Sequence, residues 1–129
     1  MALFLLRLIA FIQMLLGILY LLAPQWLLAQ MGHSAAPPDL VYPLGMLAAR
    51  FIAYGAGLWV ASRDIPAHRL WIRLMALIQL IDLGAGVAAT AMGAVPWSLS
   101  AFPMFNAVWI AAACAWLSRE TVGARMAAA

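Results

Sequence analysis

Residues 77–86 read LIQLIDLGAG, and the reading of this stretch decides the fold. Asp82 stands inside an apolar run from about residue 70 to 94, a place where an ionised carboxylate is expensive. A carboxylate kept there implies a partner, and the run itself implies a solvent other than water. The rest of the chain agrees. Its 129 residues are 68% hydrophobic and 9% charged, too apolar for a soluble domain of this size to bury.

Four apolar segments, approximately 3–23, 42–62, 70–94 and 102–117, each approach the ~20 residues that cross a hydrocarbon core. Backbone polar groups in lipid must pair within their own segment, so each segment is expected to be helical. Pro24 closes the first, and Pro43 suits the first turn of the second. The fourth starts either at Pro103 or further back, at Trp97, with Pro103 as a kink. The expected fold is all-α: an integral membrane four-helix antiparallel bundle forming one domain over 1–129. Between the first two spans, Pro24 followed by an apolar stretch and Gly32 predicts a short helix lying in the interface.

Charge placement sets orientation. There are seven arginines and no lysine. Arg7, Arg63, Arg69, Arg73, Arg119 and Arg125 flank the termini and the second connection, whereas the first and third connections have none. Both termini are therefore expected in the cytoplasm. Trp26, Trp59, Trp71, Trp97 and Trp116 fall near expected helix ends, where indole rings favour the headgroup level. The first segment lacks a charged start, and Leu27 breaks the small-residue pattern of a cleavage site, so it reads as a retained helix. The basic balance comes from scattered arginines rather than a continuous face, which argues against nucleic acid.

Arg50 precedes the turn at Asp64 by fourteen residues and Asp82 follows it by eighteen. At the helical rise their Cα atoms differ in depth by about 6 Å, within reach of an arginine side chain. An Arg50–Asp82 ion pair is thus expected, with Tyr54 one turn from Arg50 and Gln79 three residues before Asp82 on the same faces. Arg50, Tyr54, Gln79 and Asp82 form a polar cluster, either a structural clamp or a ligand-binding or proton-handling site. Gln13 and Asn106 are expected to bond across helices as structural glue. Small residues at Ala49-Ala53-Gly57, Gly84-Ala88 and Ala107-Ala111-Ala115 allow close approach, within the chain or between copies.

No catalytic constellation and no metal or haem site is expected. The single cysteine, Cys114, sits mid-helix and reads as an inert thiol. His33 and His68 fall in connections on opposite sides and cannot meet on one haem. The methionines show no metal-binding spacing and read as core filler.

The segments LLRLIAFIQMLLGILYLLAP (5–24) and AARFIAYGAGLWVASRDIPAHRLWIRLMALIQLIDLGAG (48–86) make the chain resemble the small bacterial four-helix membrane proteins of the DoxX-like group. The similar features are an arginine before an apolar helix ending in Gly17 and Tyr20, and an arginine helix, Arg50 to Gly57, followed by a basic turn. The resemblance covers most of the chain. It implies an architecture, and for some members an association with quinone-linked sulfur oxidation, but carries over no catalytic residue.

Three functions follow as expectations. The first is an accessory or scaffold subunit of a larger membrane assembly. The second is a quinone- or lipid-binding component of a redox system, with electrons supplied by a partner. The third is a small proton-coupled transporter acting as a homo-oligomer, although the small multidrug transporters it would parallel carry their acid in the first helix, where this chain has none.

Overall fold

The computed structural model describes residues 1–126, with side chains described through Arg119. Every regular element among the described residues is helical. Helix α1 spans Ala2–Leu22, α2 Pro24–Gln30, α3 Val41–Ala61, α4 Arg69–Ala91 and α5 Trp97–Met126, and a single 3-10 turn, Pro38–Leu40, leads into α3. Four of the helices are long and apolar enough to cross a membrane. Apolar on all sides, each buries no more than 33% of its most hydrophobic window inside the chain. Phe4, Phe11, Leu22, Leu80, Ile81, Phe102 and Phe105 are among the large side chains left on the outside. Such helices are stable only where the surroundings are as apolar as their surfaces.

The fourth helix begins at Trp97 and contains Pro103, so the earlier of the two possible starts is the one adopted. It also runs beyond the expected end at 117, to Met126. The expectation that Arg125 marks the cytoplasmic end lies outside the described side chains. The short helix in the first connection opens at Pro24, and Gly32, with φ of +83°, ends the turn behind it. That left-handed backbone is the conformation glycine adopts without steric penalty.

The long helices pack as two antiparallel pairs, α1 with α3 and α4 with α5, and the pairs meet each other over much less of their length. Glycines set the first pairing. A Cβ on Gly17 would stand 2.9 Å from the Ala48 carbonyl oxygen, and one on Gly55 would stand 2.8 Å from that of Ala10. The backbones therefore touch at two points seven residues apart on each helix, close packing of the kind small residues permit. In the second pair, Gly86 receives Met104, and the Thr90 hydroxyl donates to Ser100 Oγ at 2.8 Å.

Only part of the four-residue small-residue pattern serves this packing. Ala107 and Ala111 are buried, and Gly57 lies beneath the Trp71 ring. Gly84 and Ala88 on α4 face outward, and so do Ala49 and Ala53, because the contact between α1 and α3 follows the seven-residue spacing.

The buried core gathers at one end of the molecule. Leu6, Ile9, Leu58, Ile72, Ile110 and Leu117 interlock there, beside the turn between α3 and α4. Asp64 holds that turn: its carboxylate accepts from Ala67 N–H at 3.0 Å, and its carbonyl accepts from His68 N–H. Towards the other end the two pairs diverge, and the space between them holds the candidate site.

Candidate functional site

Between the pairs lies a cavity of about 390 Å³. All five helices contribute to its walls. Gln13 and Tyr20 come from α1, Phe51 from α3, Gln79 and Asp82 from α4, and Asn106 from α5. The short helix α2 covers one side with Leu27, and Met31 follows at its end. Its position is fixed by Gln25, whose side-chain amide donates to the Ala36 carbonyl at 2.8 Å and accepts from Ala36 N–H at 3.0 Å. The Tyr20 ring stacks on Phe51 with centroids 5.9 Å apart, forming a flat apolar wall.

Pro103 also lines the cavity. Lacking an N–H, it releases the Leu99 carbonyl from the helical ladder and loosens α5 at the level where the pairs separate.

A smaller cleft of about 20 Å³ adjoins this cavity and shares Gln13, Phe51, Gln79 and Asp82 with it. Arg50 and Tyr54 line the cleft but not the larger cavity. The structure thus brings Arg50, Tyr54, Gln79 and Asp82 to one place. A polar space of this size accommodates one water molecule.

The expected Arg50–Asp82 ion pair is not formed: no salt bridge joins them among the described residues. Both side chains are exposed on the surface of the chain, and Arg50 reaches Asp82 only through its electric field. The divergence of α3 from α4 explains the gap. Equal depth along two helices fixes height but not lateral separation, and these two helices have little contact. Tyr54 instead packs its ring on Trp71, 5.2 Å between centroids.

Gln13 and Asn106 do not bond across helices as expected. Asn106 Oδ1 accepts from Trp109 Nε1 on its own helix at 2.8 Å. Gln13 is 2% exposed, yet its amide has no hydrogen-bond partner among the described residues. The amide atoms are not sealed from the cavity, so they are open to a bound molecule, and their place on the wall is informative.

Sequence reasoning missed Tyr20 and Pro103 as parts of the site and assigned Gln13 a different role. One signal was present: Gln13, Gly17 and Tyr20 share a face of α1, and Gly17 lets that face sit close to α3.

Elsewhere, Arg7 donates from Nε to Ser62 Oγ at 3.4 Å and lies over the Trp59 ring at 5.1 Å. His33 follows α2 and His68 precedes α4, at opposite ends of the molecule. Among the described residues no three His, Cys, Asp or Glu side chains come together as a metal-binding group. Comparison with protein-family models, curated proteins and solved structures gave no match.

Proposed function

We propose that this chain is an integral membrane protein that holds an amphiphilic molecule, lipid-like or quinone-like, in the cavity between its two helix pairs. The four long apolar helices supply the membrane reading. The arginines supply the orientation: Arg7, Arg63, Arg69, Arg73 and Arg119 lie towards one end, so that end, with both termini, belongs in the cytoplasm. In a bacterial inner membrane, the expectation carried by the DoxX-like resemblance, the cavity would open in the outer half.

The observation that carries the reading is the cavity itself, about 390 Å³ with the Gln13 amide, which has no partner among the described residues, on its wall. Its size lies within the range of small-molecule sites, and its composition, mostly apolar with a few convergent polar groups, is of the usual kind. Asp82 and Phe102 are exposed at its margin, so a molecule dissolved in the bilayer has a lateral route inward.

A pure scaffold or accessory subunit needs no such space. It is best served by a filled interior and a sealed ion pair, because voids forfeit dispersion contacts. Binding an amphiphile remains compatible with membership of a larger assembly, which would provide the redox chemistry if the molecule held is a quinone.

The test is native mass spectrometry of the protein released from membranes in mild detergent, with extraction of the bound organic fraction. The wild type is expected to carry an adduct of lipid or quinone mass, and Ala107→Trp, which fills the cavity wall, is expected to lose it. Equal adducts on both proteins would contradict the proposal.

A further inference from the structure

We infer that the cavity selects an amphiphile whose head group donates a hydrogen bond, a hydroxyl or an ammonium, over one that only accepts. The inference rests on the proposed binding role and narrows its ligand class. Asp82 is the one charged residue among the described residues lining the larger cavity, and Arg50, its electrostatic counterpart, lines only the adjoining cleft. The lining of the larger cavity therefore includes an acidic side chain and no basic one.

The neutral polar groups offer acceptors and donors alike, so the preference rests on Asp82. The Tyr20 hydroxyl donates to Met31 Sδ at 3.8 Å, which engages its proton and leaves its oxygen lone pairs for the cavity. The Gln79 amide donates to Met75 Sδ at 3.5 Å, while its carbonyl oxygen has no partner among the described residues. Sulfur is a weak acceptor, so these contacts serve chiefly to direct the donors away from the space. Several N–H donors also remain to meet a lone pair: those of the Gln13 amide, those of the Asn106 amide, whose oxygen accepts from Trp109, and the second N–H of Gln79.

A hydroxyl matches this wall in both directions, donating to Asp82 and accepting from Gln13 or Asn106. An ammonium matches the carboxylate and the free carbonyls. A ketone or quinone carbonyl can be received only by the amides and would leave Asp82 without a donor, and a carboxylate would be repelled.

The experiment uses the full chain in lipid nanodiscs, with empty nanodiscs subtracted, and four probes sharing one naphthyl body: 1-naphthylmethylamine, 1-naphthylmethanol, 1-acetylnaphthalene and 1-naphthoate. Equilibrium dialysis gives each affinity. The amine and the alcohol are expected to bind roughly tenfold tighter than the ketone, and the naphthoate weakest. Asp82→Asn is expected to bring the amine down to the level of the ketone. The separation of amine from alcohol tells which donor the site favours.

A ketone or naphthoate binding wild-type protein as tightly as the donors would overturn the donor preference while leaving the cavity reading intact, and this comparison requires no variant. No binding by any probe, or binding unchanged in Ala107→Trp, would remove the cavity reading and this inference together. Retention of full amine affinity in Asp82→Asn would likewise overturn the role given to the carboxylate.

Discussion

Arg50 and Asp82 face one small cleft from adjacent helices without forming an ion pair. The relationship differs from a sealed clamp in what its loss should do. Breaking a buried pair costs about 3–5 kcal/mol, because the surviving charge is stranded. Here the two groups share a cleft without a bond between them, so the mutual dependence is smaller. A double-mutant cycle of Arg50→Leu and Asp82→Asn, followed by reversible unfolding in detergent, is expected to give a coupling energy below about 1 kcal/mol. A coupling of several kcal/mol would restore the clamp.

The glycines divide into two classes that a single substitution separates. A Cβ on Gly55 would meet Met14 and the Ala10 backbone, which has little room to move, whereas one on Gly84 would meet nothing within 4 Å. Gly55→Ala is expected to destabilise by about 1–3 kcal/mol through overpacking between α1 and α3. Gly84→Ala is expected to stabilise by up to roughly 1 kcal/mol, the helix-propensity difference. Melting of both variants in the same detergent checks the contrast, and equal effects would refute the packing described for Gly55.

Gln13 gives a trade between stability and binding. Gln13→Leu replaces a partnerless amide on the cavity wall with an apolar group of similar size, so the ligand-free protein is expected to change little or gain up to about 1 kcal/mol. The same change should weaken retention of the bound amphiphile. Thermal unfolding before and after delipidation separates the two effects. A loss of stability in the delipidated variant would show that the amide has a structural partner.

Pro103 keeps α5 loosened beside the cavity. Pro103→Ala restores a backbone donor for the Leu99 carbonyl and is expected to stabilise the helix by up to about 3 kcal/mol. Straightening should also narrow the space lined by Asn106 and Phe102. Slower hydrogen exchange across residues 99–107, together with weaker ligand retention, is the expected pair of outcomes. Unchanged exchange would argue that α5 is already straight.

Much of this architecture was legible because long uninterrupted apolar runs admit few states other than helices. Run length located the first three long helices within a few residues but ended the fourth nine residues early, and Pro103 left two starts open there, since sequence periodicity cannot distinguish a kinked helix from a late one. Pro24 and Gly32 marked the short helix through backbone constraints that act locally. Counting residues from Asp64 placed Arg50 and Asp82 within about 6 Å of each other in depth, because the helical rise is fixed. It could not supply lateral distance, which depends on how tightly α3 and α4 approach.

The cavity was not legible for the same reason. Tyr20, Gln13 and Asn106 come from elements far apart in the chain, and only the pairing of α1 with α3 and of α4 with α5 brings them together. The seven-residue spacing of Ala10 with Gly17 and of Ala48 with Gly55 held that information, but the four-residue spacing sought instead selects partly outward-facing residues.

An experimental structure in lipid nanodiscs tests the central proposal most directly. The account predicts four membrane crossings and an elongated density between Tyr20, Asp82 and Asn106, with Arg50 and Asp82 outside bonding distance. Helix pairs closed upon each other, with Arg50 bonded to Asp82 and no room beside Gln13, would contradict it.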